Sequence, residues 1–150
     1  MKMLSVLICT LTLIACGSNN SGVPDQPPDA PTQLSDAQYI QANNGLKYYD
    51  IKVGTGAQAQ TGKNVTVHYS GWLTTGKLFD SSIIKKRPFS LPLGGGQVIK
   101  GWDEGIVGMR VGGHRQLAIP PDLAYGPGGY AGVIPPNATL IFEIYLLEVK

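Results

Sequence analysis

The sequence predicts an α+β domain in which an antiparallel sheet wraps around one short helix. Three observations predict it. Apolar and polar residues alternate in several short runs, the period of half-buried strands. One segment alone carries apolar residues at intervals of three and four, the spacing of an amphipathic helix. Twenty Gly and eleven Pro in 150 residues punctuate the chain with turns, which favours short strands over long helices.

The elements follow in order from about Gly45. Val65, Val67 and Tyr69 alternate with Thr66, His68 and Ser70 in a strand, and Thr74-Thr75-Gly76-Lys77 turns the chain. Phe89, Leu91 and Leu93 repeat the alternation. Val98, Ile99, Trp102, Ile106 and Met109 form the helical stripe, weakened by Gly101, Gly105 and Gly108, so packing has to sustain it. Residues 115–119 form another short strand closed by Pro120-Pro121. Residues 139–149 give the longest strand, with Leu140, Phe142, Ile144 and Leu146 on one face.

The first residues read as an export signal: Lys2 is followed by an apolar run over residues 4–14 that is too short to span a bilayer stably. It ends in Leu13-Ile14-Ala15-Cys16, which resembles a bacterial lipobox, so residues 1–15 are expected to be removed and Cys16 to be acylated. Residues 16–43 contain four Pro, three Asp and no Lys or Arg, the composition of a flexible tether. The domain is expected over 44–150. With Cys9 removed and Cys16 acylated, no disulfide is expected, and stability has to come from the core. The expected location is outside the cytoplasm, anchored by lipid to a bacterial membrane and facing the periplasm or the cell surface.

Composition and motif searches narrow the chemistry. A net charge of +2 and a 15% charged fraction do not supply the clustered basic face that nucleic acid requires. Lys85, Lys86 and Arg87, the only basic run, read as a solvated loop. His68 and His114 are the only histidines; His68 reads as a structural residue on a strand, His114 as exposed in a turn after Gly112-Gly113, and no metal site is expected. Ser81 and Ser82 have no nearby His in the sequence, and no Gly-x-Ser-x-Gly elbow occurs. Gly94-Gly95-Gly96 lacks the Lys and Ser/Thr of a phosphate loop and reads as a flexible entry to the helix. Asp103 and Glu104 suit the positive end of that helix. Asp80 lacks the second carboxylate of a glycosidase. What remains is aromatic: Tyr69, Phe79, Phe89, Trp102, Tyr125 and Phe142 are either core or the wall of a pocket, and each Tyr and Trp brings a polar atom that needs a partner.

Three stretches, VTVHYSGWLTTGKLFDSS, PFSLPLGGGQVIKGWDEGIVGMRVGGHRQLAIPPDLAYG and IPPNATLIFEIYLLEV, together resemble an FKBP-type peptidyl-prolyl cis/trans isomerase, over about residues 44–150. The resemblance implies a half-barrel of about five antiparallel strands on the helix. It implies catalytic roles for Tyr69, Phe79, Asp80, Tyr125 and Phe142, and substrate contacts from Phe89, Val98, Ile99, Trp102, Tyr130, Val133 and Ile134. Trp102 would be the pocket floor, and the Tyr125 hydroxyl and the Ile99 N–H would bind substrate carbonyls. Three positions depart from the common pattern: Gln97 replaces a frequent Glu, Tyr130 a frequent His, and Lys85 an Arg that commonly pairs with Asp80.

The implied reaction is rotation about Xaa-Pro bonds of unfolded or exported polypeptides, without cofactor. Amide resonance sets a barrier of about 20 kcal/mol, so the uncatalysed step takes ~10–100 s. The twisted amide carries less charge separation than the planar one, so a dry aromatic pocket favours it. Lowering the barrier by ~6 kcal/mol gives roughly 10⁴-fold acceleration. Asp80 is then an acceptor that orients Tyr69 or a nearby cation, and not a general acid. The resemblance also implies macrolide inhibitors as ligands, and the lack of a long helical N-terminal segment points to a monomer. The alternative reading is a proline-binding chaperone or surface interaction module with little turnover.

Overall fold

Alternation along the last strand decides where the core forms. On β7 (Leu140–Val149), Leu140, Phe142, Ile144 and Leu146 all turn to the same side and all are buried. The computed structural model describes residues 22–150; residues 1–15 and Cys16 lie outside that range. The other strands are β1 (Ile40–Gln41), β2 (Lys47–Lys52), β3 (Asn64–Leu73), β4 (Leu78–Ser81), β5 (Phe89–Pro92) and β6 (His114–Ile119), and the one α-helix among the described residues is α1 (Lys100–Gly105). Every pairing is antiparallel, in the order β1-β2-β6-β7-β3-β4. The outer edge of β3 is shared: residues 64–67 pair with β5 and residues 70–72 with β4. Division of that edge, together with the two-residue β1, brings the sheet to seven strands.

The helix is shorter than its apolar stripe. Val98 lies in a bend and Ile99 caps the helix with φ −58° and ψ 147°, and Gly108, at φ +89°, turns the backbone before Met109. Ile106 and Met109 are nevertheless buried, so the stripe reports core contact correctly beyond the helix itself. Two of the weakening glycines are the reason that α1 lies directly on the sheet. A Cβ at Gly101 would stand 2.4 Å from Ile119 Cγ2, and one at Gly105 2.7 Å from Leu117 Cδ1, both on β6. Helix propensity is given up for close approach.

Three local expectations change. The Gly94–Gly96 loop is held rather than flexible: the Asp103 carboxylate accepts the Gly94 N–H at 2.8 Å and the Gly96 N–H at 2.9 Å. His114 is not exposed in a turn. It opens β6, stacks on Tyr145 at 4.0 Å between ring centroids, and lies 2.9 Å from the Glu143 carboxylate. The segment read as a free tether is fixed to the outer face of the sheet from Thr32 onward. Glu143, 1% exposed, accepts the Thr32 N–H at 2.6 Å and the Gln116 amide at 3.2 Å. Gln116 in turn donates to the Thr32 carbonyl at 2.8 Å and accepts the Tyr39 hydroxyl. Alternation places Glu143 and Gln116 on the face away from the core, opposite each other in the β6–β7 register; two polar side chains there need partners once covered, and the N-terminal segment supplies them.

Candidate active site

On the core side, β3, β4, β5, α1 and β7 bring one aromatic group each to a single cleft. β3 contributes Tyr69, β4 Phe79, β5 Phe89, α1 Trp102 and β7 Phe142. The cleft is about 200 Å³ and is completed by Asp80, by Gln97, Val98 and Ile99 ahead of α1, and by Tyr125 beyond β6. Trp102, 4% exposed, is the floor. Its ring meets Tyr69 at 4.9 Å and Phe142 at 5.3 Å, and Phe79 meets Phe142 at 5.5 Å, all edge to face. This arrangement matches ring quadrupoles and fixes each wall by the next.

One residue that sequence reasoning missed makes these contacts possible. A Cβ on Gly71 would lie 2.7 Å from both Phe142 Cε1 and Phe79 Cζ. Only glycine on β3 allows the two rings to close over the strand. The available signal was a glycine inside a strand pattern, which marks a bulge or a close approach, and the register of β3 against β4 does shift between Gly71 and Trp72.

Among the described residues Asp80 is the only carboxylate lining the cleft. One of its oxygens accepts the Tyr69 hydroxyl at 2.6 Å and the other the Lys85 ammonium, also at 2.6 Å. Partial burial pushes the carboxyl upward, but the hydrogen bonds from Lys85 and Tyr69 outweigh it and hold the group below its ordinary range. Burial and the same hydrogen bond push Tyr69 far upward, so its hydroxyl stays a donor. Burial also raises Tyr125, followed by the influence of Tyr130 and Asp80. The Ile99 N–H, the Tyr125 hydroxyl and the buried Trp102 indole N–H, all at the cleft, have no partner among the described residues.

Nine of the twelve residues named from the sequence therefore line one cleft. Tyr130, Val133 and Ile134 do not. Ile134 is withdrawn into the core, where its N–H binds the Tyr130 carbonyl at 2.8 Å. Tyr130 is 59% exposed and Val133 43%; the Tyr130 ring lies 5.5 Å from that of Tyr125, outside the cleft wall. Ser82 does have a histidine, contrary to the sequence reading: its hydroxyl is 2.8 Å from His68 Nδ1. That hydroxyl is buried and also accepts the Tyr69 N–H at 2.8 Å, so the pair braces β3 against the turn after β4. Among the described residues no group of three or more His, Cys, Asp or Glu side chains could hold a metal.

Comparison with known proteins decides the family. The sequence model of the FKBP-type peptidyl-prolyl cis-trans isomerases matches residues 55–147. The chain belongs to this family. Among FKBP relatives, an FK506-binding protein of Neisseria meningitidis serogroup B is 55% identical over 105 residues, covering 70% of this chain and 96% of its own. FK506-binding protein 1 of Dictyostelium discoideum is 53% identical over 106 residues, 71% of this chain and 99% of its own. Two solved FKBP structures superpose with a TM-score of 0.70. The crystal structure of FkpA from Escherichia coli is 42% identical and covers 75% of this chain but only 52% of FkpA. That of AtFKBP13 is 39% identical and covers 75% of this chain and 98% of its own. As an FKBP-type enzyme, the protein catalyses cis/trans isomerisation of peptidyl-prolyl bonds.

Proposed function

We propose that the Trp102 cleft accelerates Xaa-Pro rotation by desolvation alone, with no proton transfer. The observation that carries this reading is the state of Asp80: the only carboxylate of the cleft among the described residues is an anion already holding two donors, so it has no proton to give. The proline ring sits on Trp102 between Phe79, Phe89 and Phe142, where the less polar twisted amide is favoured over the planar one. Tyr125 O–H and Ile99 N–H, both unpaired, hold the carbonyls on either side of the rotating bond. Asp80 and Tyr69 are positioning residues that set the polarity of one wall. The same apolar floor suits a macrolide that mimics a prolyl segment. Turnover of an Xaa-Pro tetrapeptide, followed by NMR exchange, tests the assignment: Phe79→Ala, with the fold intact by circular dichroism, should lose far more activity than Asp80→Asn, and the opposite order would reject it.

The same proposal places the enzyme on a membrane, acting as a monomer on exported polypeptides. Support comes from Lys2, the apolar run that follows it, and Leu13-Ile14-Ala15-Cys16. One acyl chain binds membranes only marginally, and the several chains of a processed lipobox Cys suffice. Because residues 23–26 already lie beside His68, Ile83 and Leu147, ahead of the Thr32 contact, reach from the membrane is set by the chain from Cys16 to Val23, about 23 Å at ~3.3 Å per residue. Cys16→Ser should leave the protein soluble or unprocessed on cell fractionation. A mutant that is cleaved yet still membrane-bound would refute the anchor.

A further inference from the structure

A second groove continues from the cleft and shares two of its walls. Tyr69 and Phe89 line both, and the groove runs on past Pro88 and Ser90 between Lys85 and Arg87, enclosing about 470 Å³. The basic run that reads as a solvated loop is divided by the backbone. Lys86, at φ +51°, donates its N–H to the Ile83 carbonyl at 3.0 Å, and the Arg87 N–H binds the Ser82 carbonyl at 3.1 Å. This turn sends Lys86 to a different depression, beside His68 and Leu147, and leaves Lys85 and Arg87 at the groove. Pro88 restricts the backbone of the residue before it, so Arg87 springs from a fixed backbone.

The two cations differ. Lys85 is neutralised by Asp80 at 2.6 Å. Arg87 has no ion pair and no side-chain hydrogen bond among the described residues. Asp80, the partner of Lys85, has both oxygens occupied. An unpaired guanidinium in a groove that shares two walls with the aromatic cleft presents a planar fork of donors suited to a carboxylate.

From this we propose that Arg87 is a specificity-determining residue, selecting polypeptides that carry an acidic side chain a few residues from the isomerised proline. The inference rests on the isomerase reading of the adjoining cleft. Arg87 acts on binding and does not touch the rotating bond, so its effect falls on KM and leaves kcat alone.

The test uses the mature chain and peptides that share one Xaa-Pro core, with Glu, Gln or Lys placed two or three residues to either side, read by NMR exchange. At one of these positions the Glu peptide should exceed the Gln peptide in kcat/KM by roughly three- to five-fold at low salt, the range of an exposed ion pair. The Lys peptide should fall below Gln, and the Glu advantage should shrink at about 0.5 M salt. Arg87→Gln should bring the Glu/Gln ratio to near one, and Arg87→Lys should restore part of it. A ratio near one at every position in the wild type, with Gln peptides turned over, overturns the proposal; so does a Glu preference that survives Arg87→Gln. Failure to turn over any peptide overturns the reading of the cleft, and this inference with it.

Discussion

The Tyr69 hydroxyl and the Asp80 carboxylate are joined by a 2.6 Å hydrogen bond across the β3–β4 pair, and Lys85 closes the other side of the same carboxylate at 2.6 Å. The wall of the cleft is thus tied by an ionised group that is committed on both oxygens. A wall built this way responds differently to loss of a hydrogen bond and to loss of a ring.

Tyr69→Phe removes one donor from Asp80 and keeps the ring against Trp102. Lys85 still satisfies the carboxylate, so kcat/KM should fall by no more than about tenfold, the ~0.5–1.5 kcal/mol net worth of an ordinary hydrogen bond. Phe79→Ala removes a wall ring and admits water; at ~1.5–3 kcal/mol for a buried Phe side chain, the loss should be roughly 10- to 150-fold. Steady-state rates on one peptide, with folding checked by circular dichroism, separate the two. Equal losses would contradict the wall argument.

A chain beginning at Asn43 should isomerise peptides as fast as the mature protein, because no residue of the cleft precedes Tyr69. It should also be less stable. Glu143 loses the Thr32 N–H and Gln116 loses Tyr39, and uncovering hydrogen-bonded polar groups of this kind costs about 1–3 kcal/mol. Urea unfolding beside a rate assay checks both halves; a rate loss above tenfold would show that the N-terminal segment reaches the chemistry.

Glu143 gives that stability a pH dependence. Burial pushes its carboxyl up, but the hydrogen bonds from His114 and Thr32 prevail and hold it below the ordinary range. A carboxyl depressed in the folded state stabilises above its unfolded pKa of about 4.3 and ceases to do so as pH falls through the folded value. Glu143→Gln should therefore lower the urea midpoint at neutral pH, and the gap to the wild type should narrow as pH falls below about 4. A gap that stays constant with pH would show that packing, and not charge, is lost.

The strands of the core were legible because their signal is local. Alternation at Val65–Val67–Tyr69 and at Leu140–Phe142–Ile144–Leu146 survives in β3 and β7. The cleft residues were legible only through family motifs, since nothing in a period of two says that Tyr69 meets Trp102 and Asp80. Contacts between segments distant in the chain left no local trace. Thr32 and Glu143 are 111 residues apart, and a Pro-rich stretch looks the same whether it is tethered or free. His114 follows two glycines, the mark of a turn, yet β7 brings Glu143 and Tyr145 to it. Gly71 carried a signal that can be read only once its neighbours are known.

The most direct test of the account is kcat/KM across pH for the wild type and Asp80→Asn on the same tetrapeptide. Asp80 is held below the ordinary carboxylate range and Tyr69 is raised far above neutrality, so neither titrates near pH 7. The account predicts a flat wild-type profile from about pH 6 to 8 and appreciable activity in the mutant, which keeps the shape of the wall. A titrating limb in the wild type that disappears in Asp80→Asn, with a loss near 10³-fold, would contradict desolvation and make Asp80 a proton donor.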